Sequence, residues 1–248
     1  MSPTLVAILT FPVLYWFPIR RWMNRWGAAS SDVARVMAGD SLLADQTYSG
    51  TMAVIVNARA EDIWPWLVQI GYQRGGLYSY DWLDRICGYL DRPSATRILP
   101  EFQYLTVGDH IPLGRGPSWP VAVLEPNRAL VLDMRNLGGL DWVWQFGLYP
   151  VDGTRTRLVS RSRVRARAVW ARLLTHAIEP AGFLMTRRML LGVKQRAEAV
   201  HAANAGETLP LLQMPNVNAA ADIDLGQVSA HFDPARIKLA RGRHHIIV

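Results

Sequence analysis

The sequence predicts an α+β domain from Thr47 to about Ala203, a curved antiparallel sheet of about six strands around a long C-terminal helix. Three observations predict it. Short β-branched and aromatic runs joined by turn residues follow one another from His110 to Arg165. The segment Asp141 to Tyr149 alternates cleanly, with Trp142, Trp144, Phe146 and Leu148 on one face. From Glu179 onward, Phe183, Met185, Met189, Leu190, Val193, Ala197 and Val200 form an apolar stripe roughly six helical turns long.

The elements take their places in order. Thr51 to Asn57 (TMAVIVN) reads as a first strand. Ala60 to Ile70 places Ile63, Trp66, Leu67 and Ile70 at helical spacing, with Pro65 in the first turn and Gly71 as the stop. Ser79 is the expected N-cap of a second short helix, Tyr80 to about Cys87, whose Asp81 and Asp84 sit near its positive end. Strands follow at His110 to Leu113, Trp119 to Leu124, Ala129 to Met134, Asp141 to Tyr149 and Thr154 to Arg165. Turns at Glu125-Pro126-Asn127-Arg128 and Asp152-Gly153 join four of them. Glu179-Pro180 is the expected opening of the long helix, with Trp170 to Ile178 as a shorter lead-in. A meander cannot bury its own concave face, so the long helix must cover it.

The regions outside this domain divide into 1–26, 27–46 and 204–248. Pro3 to Ile19 carries no charge. As a helix it would span about 25 Å, a little short of the ~30 Å hydrocarbon core of a bilayer. Arg20, Arg21 and Arg25 follow it, and Tyr15, Trp16, Trp22 and Trp26 sit where interfacial aromatics belong, so a single membrane anchor is the expectation. The positive-inside rule then puts the rest of the chain on the cytoplasmic face; a buried or surface-lying helix, interrupted by Pro12 and Pro18, leaves a soluble cytoplasmic protein as the alternative. Residues 27–46 read as a linker packed loosely on the domain. Residues 204–248 show no sustained period and read as a tail, possible disorder included.

Composition excludes several functions. The net charge of +7 rests on arginine, since Lys194 and Lys238 are the only lysines, and no nucleic-acid-binding motif accompanies it. Cys87 is the sole cysteine, so neither an internal disulfide nor a multi-cysteine metal site is available. No metal or cofactor is expected, and the adjacent His244 and His245 read as a solvated pair. Gly71 to Gly76 (GYQRGG) lacks the Gly-Lys-Ser/Thr ending of a phosphate loop. Arg155, Arg157, Arg161, Arg163 and Arg165 share one face of the last strand. Such a face is expected to be convex and solvated, or else to meet anionic lipid headgroups.

Five segments carry a family resemblance: WPWLVQIG (Trp64 to Gly71), GGLYSYDWLD (Gly75 to Asp84), RILPEFQYLTVGD (Arg97 to Asp109), TRTRLVSRSR (Thr154 to Arg163) and EPAGFLMTRRMLLGVKQRAE (Glu179 to Glu198). With the element order, they resemble the START-like, Bet v 1-like (SRPBCC) superfamily and its helix-grip fold. The segments look like a bacterial branch of polyketide cyclase/dehydrase or lipid-transport-like proteins. The resemblance covers about Trp26 to Ala203, and Trp26-Gly27-Ala28 is similar to the approach in that branch, whose members often carry membrane segments ahead of the domain. It implies a cavity between sheet and helix but no common reaction.

The expected function is therefore binding, with transport or sequestration as possible uses, of a hydrophobic molecule such as a lipid, isoprenoid or polyketide-like compound. Tyr78, Tyr80, Trp82, Trp142, Trp144, Phe146 and Phe183 are the expected cavity lining, each of them also a natural core residue. The alternative is a cyclase/dehydratase using Asp81 or Glu101 as acid or base, with His110 as a further candidate. Against that, Asp81 also reads as a carboxylate in the first turn of a helix, and His110 as a surface histidine. A third class is a membrane-tethered interaction domain without ligand.

Overall fold

A computed structural model describes residues 18–204 and Gly206. All of these fall within Met1–Pro210, the first of two units; the second, Leu211–Val248, and the uncharged stretch up to Phe17 lie outside the described residues. Among the described residues no helix is long and apolar enough to cross a membrane. The chain runs α1 (Arg20–Met23), α2 (Ser30–Ala34), a 3-10 turn (Asp40–Leu43), β1 (Tyr48–Val56), α3 (Ala60–Val68) and α4 (Asp81–Ile86). A second 3-10 turn (Pro100–Phe102) precedes β2 (His110–Pro112), β3 (Ser118–Glu125), β4 (Ala129–Leu137), β5 (Leu140–Pro150), β6 (Thr156–Ala166) and α5 (Val169–Asn204). The six strands form one antiparallel sheet in the order β1-β6-β5-β4-β3-β2, and α5 with α3 covers its concave face. This is the helix-grip architecture.

Alternation decides which side chains meet beneath the helix. Leu130 and Leu132 of β4, Phe146 and Leu148 of β5, and Leu158 of β6 point inward and pack with Ile63, Trp66 and Leu67 of α3 and Leu190, Val193 and Ala197 of α5. The second half of α5 is locked down by polar ties as well. Lys194 Nζ donates to the Ile55 carbonyl at 2.8 Å, Glu198 accepts the Asn57 N–H at 2.7 Å, and His201 Nδ1 lies 2.6 Å from Asp62 Oδ2. At Gly192 a Cβ would stand 2.2 Å from the Tyr78 carbonyl oxygen, so only glycine lets the helix approach that closely.

The outer face of the sheet is where the structure departs most from expectation. The arginines of β6 are not a solvated face, because residues 27–46 lie across them. Arg161 is buried and donates five hydrogen bonds: Nε to Thr51 Oγ1 at 3.0 Å, Nη1 to Asp40 Oδ2 at 2.6 Å and the Arg35 carbonyl at 2.9 Å, Nη2 to the carbonyls of Asp32 at 2.6 Å and Val33 at 3.1 Å. Arg157 chelates Asp32 and donates to the Gly27 carbonyl; Arg163 pairs with Asp40 and donates to Gln46; Arg165 bridges Asp45 and Asp141. Between these pairs Met37 packs on Ala53 and Val159, and Leu43 on Val131 and Val143. The stretch read as a loose linker is a fitted cover. Burial opposes ionisation of Asp32 and Asp40. The pairing with Arg157 outweighs it at Asp32, and the Met37 N–H with Arg163 and Arg161 outweighs it at Asp40, so both carboxyls lie below the usual range.

Two smaller corrections concern helix ends. The structure has a single 36-residue helix, Val169–Asn204, with Pro180 inside it rather than at its start. An interior proline costs about 3 kcal/mol. The neighbouring Glu179 ties the helix down beside the proline: its buried carboxylate accepts from Arg20 Nε at 2.8 Å and Asn24 Nδ2 at 2.6 Å. Ser79 is not the N-cap of α4; Tyr80 occupies that position, and the Ser79 hydroxyl donates instead to the Asp84 carboxylate at 2.6 Å. Asp81 is turned the other way and accepts from the Ser94 N–H at 3.0 Å and its hydroxyl at 2.7 Å. Burial, only partly opposed by Ser79 and reinforced by Asp81, pushes the Asp84 carboxyl up to about 6.

Replacing Arg161 by Leu should cost about 3–5 kcal/mol in urea unfolding, because Asp40 and three carbonyls lose a buried donor, whereas Arg155→Ala at the exposed hairpin should cost below about 1 kcal/mol. Asp84 binds its proton more tightly in the folded state. The stability this contributes is complete below the unfolded value near 4 and is lost as pH rises through about 6. Relative to Asp84→Asn, the wild type should therefore lose about 2–3 kcal/mol between pH 4 and 7.5. Parallel denaturant titrations at both pH values check this, and an unchanged difference between the two proteins would contradict it.

Candidate functional site

The period of β5 puts Trp142, Trp144 and Phe146 on the concave side, directly across from Val164, Ser162 and Ser160 of β6. Small residues opposite large rings leave room for the indoles to lie across the strand. The Trp142 Nε1–H donates to Ser162 Oγ at 3.3 Å and the Trp144 Nε1–H to Ser160 Oγ at 3.0 Å. Trp119 of β3 completes the wall, with its ring centroid 5.1 Å from Trp142 and 6.2 Å from Trp144, both edge-on; Trp144 lies 4.9 Å from Phe146. Phe146 and Trp119 are buried, whereas Trp142 and Trp144 are only half-buried, as is Met134, the partner of Trp142 on β4. The wall thus combines two closed-off rings, Phe146 and Trp119, with two indoles that stay partly accessible.

The other expected lining residues divide. Phe183 faces inward from α5, and its ring lies 5.2 Å from that of Trp22 of α1, tilted by 60°. Tyr78 is fully buried and holds a left-handed backbone with φ of 56°; the Arg196 guanidinium lies 4.7 Å over its ring, and burial pushes its phenol far above the usual range. Tyr78 thus belongs to the grip between α5 and the loop before α4. Tyr80 is half-buried with Arg188 5.8 Å above it, and Trp82 is 48% exposed on the outer side of α4. Tyr78, Tyr80 and Trp82 therefore do not form one surface.

The polar candidates lie elsewhere. Asp81 is spoken for by Ser94. Glu101 and His110, separated by nine positions, come together in a cleft of about 260 Å3 with Arg74, Phe102, Tyr104 and Asp109. Arg74 is fixed there by donation to the Val68 carbonyl at 2.7 Å and stacks 4.5 Å over Phe102. Asp109 is a turn brace: the Thr106 N–H and hydroxyl bond its carboxylate and hold it below the ordinary range. Glu101 and His110 are both exposed at the mouth of this cleft. A second cleft, about 380 Å3, lies between the 36–41 stretch and the β3–β4 hairpin. Among the described residues no cluster of histidine, cysteine, aspartate and glutamate is arranged to hold a metal ion.

Reading the sequence missed Trp119, Ser160 and Ser162 as parts of the wall. Trp119 was legible as a strand aromatic, but its partner strands were not. The two serines alternate with the arginines of β6, which puts them on its inner face, but nothing in the sequence signals that they would satisfy indoles.

No protein-family model matches the chain, and no curated protein matches it. Solved structures align with roughly three fifths of it. They include the Zhui aromatase/cyclase from Streptomyces sp. R1128 (19% identity, 63% of this chain and 97% of that one, TM-score 0.37). A hypothetical protein from Helicobacter pylori aligns at 13% identity (65% and 95%, TM-score 0.41), and norcoclaurine synthase from Thalictrum flavum at 12% (60% and 96%, TM-score 0.35). None of these alignments carries an activity to this chain. By its own element order and strand order the chain has the helix-grip fold of the START-like, Bet v 1-like proteins.

Proposed function

We propose that the protein binds a hydrophobic small molecule, of the lipid, isoprenoid or polyketide-like kind, between α5 and the concave face of the sheet. The observation that supports this reading is the half-buried pair Trp142 and Trp144 on the inner face, with both indole N–H groups already bonded to serines. Ring faces so arranged offer apolar area and no unpaired indole donor. Covering each further 100 Å2 of such area is worth about 2.5 kcal/mol. The hydroxyl hydrogens of Ser160 and Ser162 supply the few polar groups that orient a ligand in an otherwise apolar site.

A second reading, acid–base chemistry on a bound compound, is favoured by one observation: Glu101 and His110 share a cleft with Arg74. Asp81 fits it less well, since both its oxygens accept hydrogen bonds from Ser94.

Native mass spectrometry of the purified full chain should detect a copurifying apolar molecule. Titration with a fluorescent fatty acid or polyketide mimic should then show Trp144→Ala weakening binding roughly tenfold or more at unchanged fold. Protein that is empty and indifferent to every apolar probe would sink the proposal and favour an interaction domain. If a bound compound is turned over, Glu101→Gln should abolish turnover and leave affinity within about twofold; loss of binding alone would argue against the acid–base reading.

A further inference from the structure

Helix α5 changes polarity halfway along. In its second half the large apolar side chains Met189, Leu190 and Val193 face the sheet. In its first half the inward positions are Ala171, Thr175, Glu179 and finally Phe183, while Val169, Trp170, Leu173, Leu174, Ile178 and Leu184 point away from the domain. Leu173 is 67% exposed and Trp170 55%. An amphipathic helix that turns its apolar side outward for four turns is built to meet an apolar phase. The face is extended by α1, whose exposed Trp22 contacts Phe183 with a tilted ring and whose Arg20 holds Glu179.

We infer that this outward face of α5, with α1 beside it, docks on an anionic lipid bilayer. The charges around it decide between occupants. Within residues 18–25 and 167–184 the only carboxylate is Glu179, which is buried against Arg20. The exposed ions there are Arg21, Arg25, Arg167 and Arg172, with the exposed indoles of Trp22 and Trp170 among them. Apolar side chains flanked by arginine and tryptophan, without exposed acids, fit a lipid interface with negative headgroups. The uncharged sequence from Pro3 also enters the described structure at this face, through Ile19, itself 40% exposed. The bilayer face stands apart from the ligand site and holds whether or not a small molecule binds under the helix.

The test uses the full chain carrying Cys87→Ser and Ala177→Cys, labelled with an environment-sensitive fluorophore, and vesicles of phosphatidylcholine with phosphatidylglycerol. The label on the outward face should shift to the blue on vesicles and be quenched by brominated acyl chains. A label placed through Gly153→Cys, on the far β5–β6 turn, should stay in water. Leu173→Glu combined with Ile178→Glu should weaken vesicle binding roughly tenfold or more while leaving the melting temperature unchanged, since both side chains are exposed in the fold. A label at position 177 that stays in water on vesicle-bound protein overturns the inference, as does failure to bind vesicles. So does a label already shielded without lipid, which would mean that a second copy or the chain's own first residues cover the face.

Discussion

The Arg161 guanidinium is the point on which the outer half of this structure depends. Its five N–H donors are all engaged, four of the bonds going to residues 32–40 and one to Thr51 of β1. A buried ion pair taken whole gains little over well-packed apolar residues, because desolvation consumes most of the Coulombic attraction, although removing the arginine alone strands its partners. What it imposes is register. Carbonyls at Asp32, Val33 and Arg35 and the carboxylate of Asp40 must all converge on one planar fork, so the covering segment can lie on the sheet in one way only. Arg157, Arg163 and Arg165 repeat the pairing at alternate positions along β6, and Met37 and Leu43 fill the gaps between them.

Closing the outer face determines what remains available for function. The sheet is left with its concave side, where the wall of Trp119, Trp142 and Trp144 is unevenly covered, and the helix is left with two halves of opposite polarity. The second half of α5 is a core element held by Gly192, Lys194, Glu198 and His201. The first half rests on the domain through small and polar residues, with Glu179 as its main tie. A helix fastened at one end by packing and at the other by an ion pair sits between a candidate ligand space and a candidate lipid surface, so both proposals place their traffic at the same end of the molecule.

Much of this was legible in the sequence. The strands from Thr51 to Arg165 fall within a few residues of where alternation and turn chemistry put them, and the inward set of β5 is the predicted one. Local patterns report which side chains share a face. They do not report what lies opposite that face. Of the five arginines expected on one face of the last strand, Arg157, Arg161, Arg163 and Arg165 do share its outer side, whereas Arg155 falls in the preceding turn and pairs with Asp152. The partners of the four at Asp32, Asp40 and Asp45 stand more than a hundred residues earlier, in a stretch with no periodicity of its own. The same limit explains Glu101 and His110, neighbours in a cleft that only the fold creates. Pro180 misled for another reason: its local preference for a helix start was overridden by the anchoring of Glu179. Of the expected lining residues, those on β5 rested on a strong periodic signal. Trp82 rested on composition in a short helix, where one turn decides between inside and outside.

Residues 27–46 belong to the folded domain rather than leading up to it. Hydrogen exchange of the Met37 and Gly39 amides tests this most directly, since they donate to the side chains of Asp40 and Gln145. Their protection should match that of the β5 and β6 amides and fall with them in denaturant, as one cooperative unit. Exchange of both amides near the rate of an unstructured chain, while β6 stays protected, would contradict it.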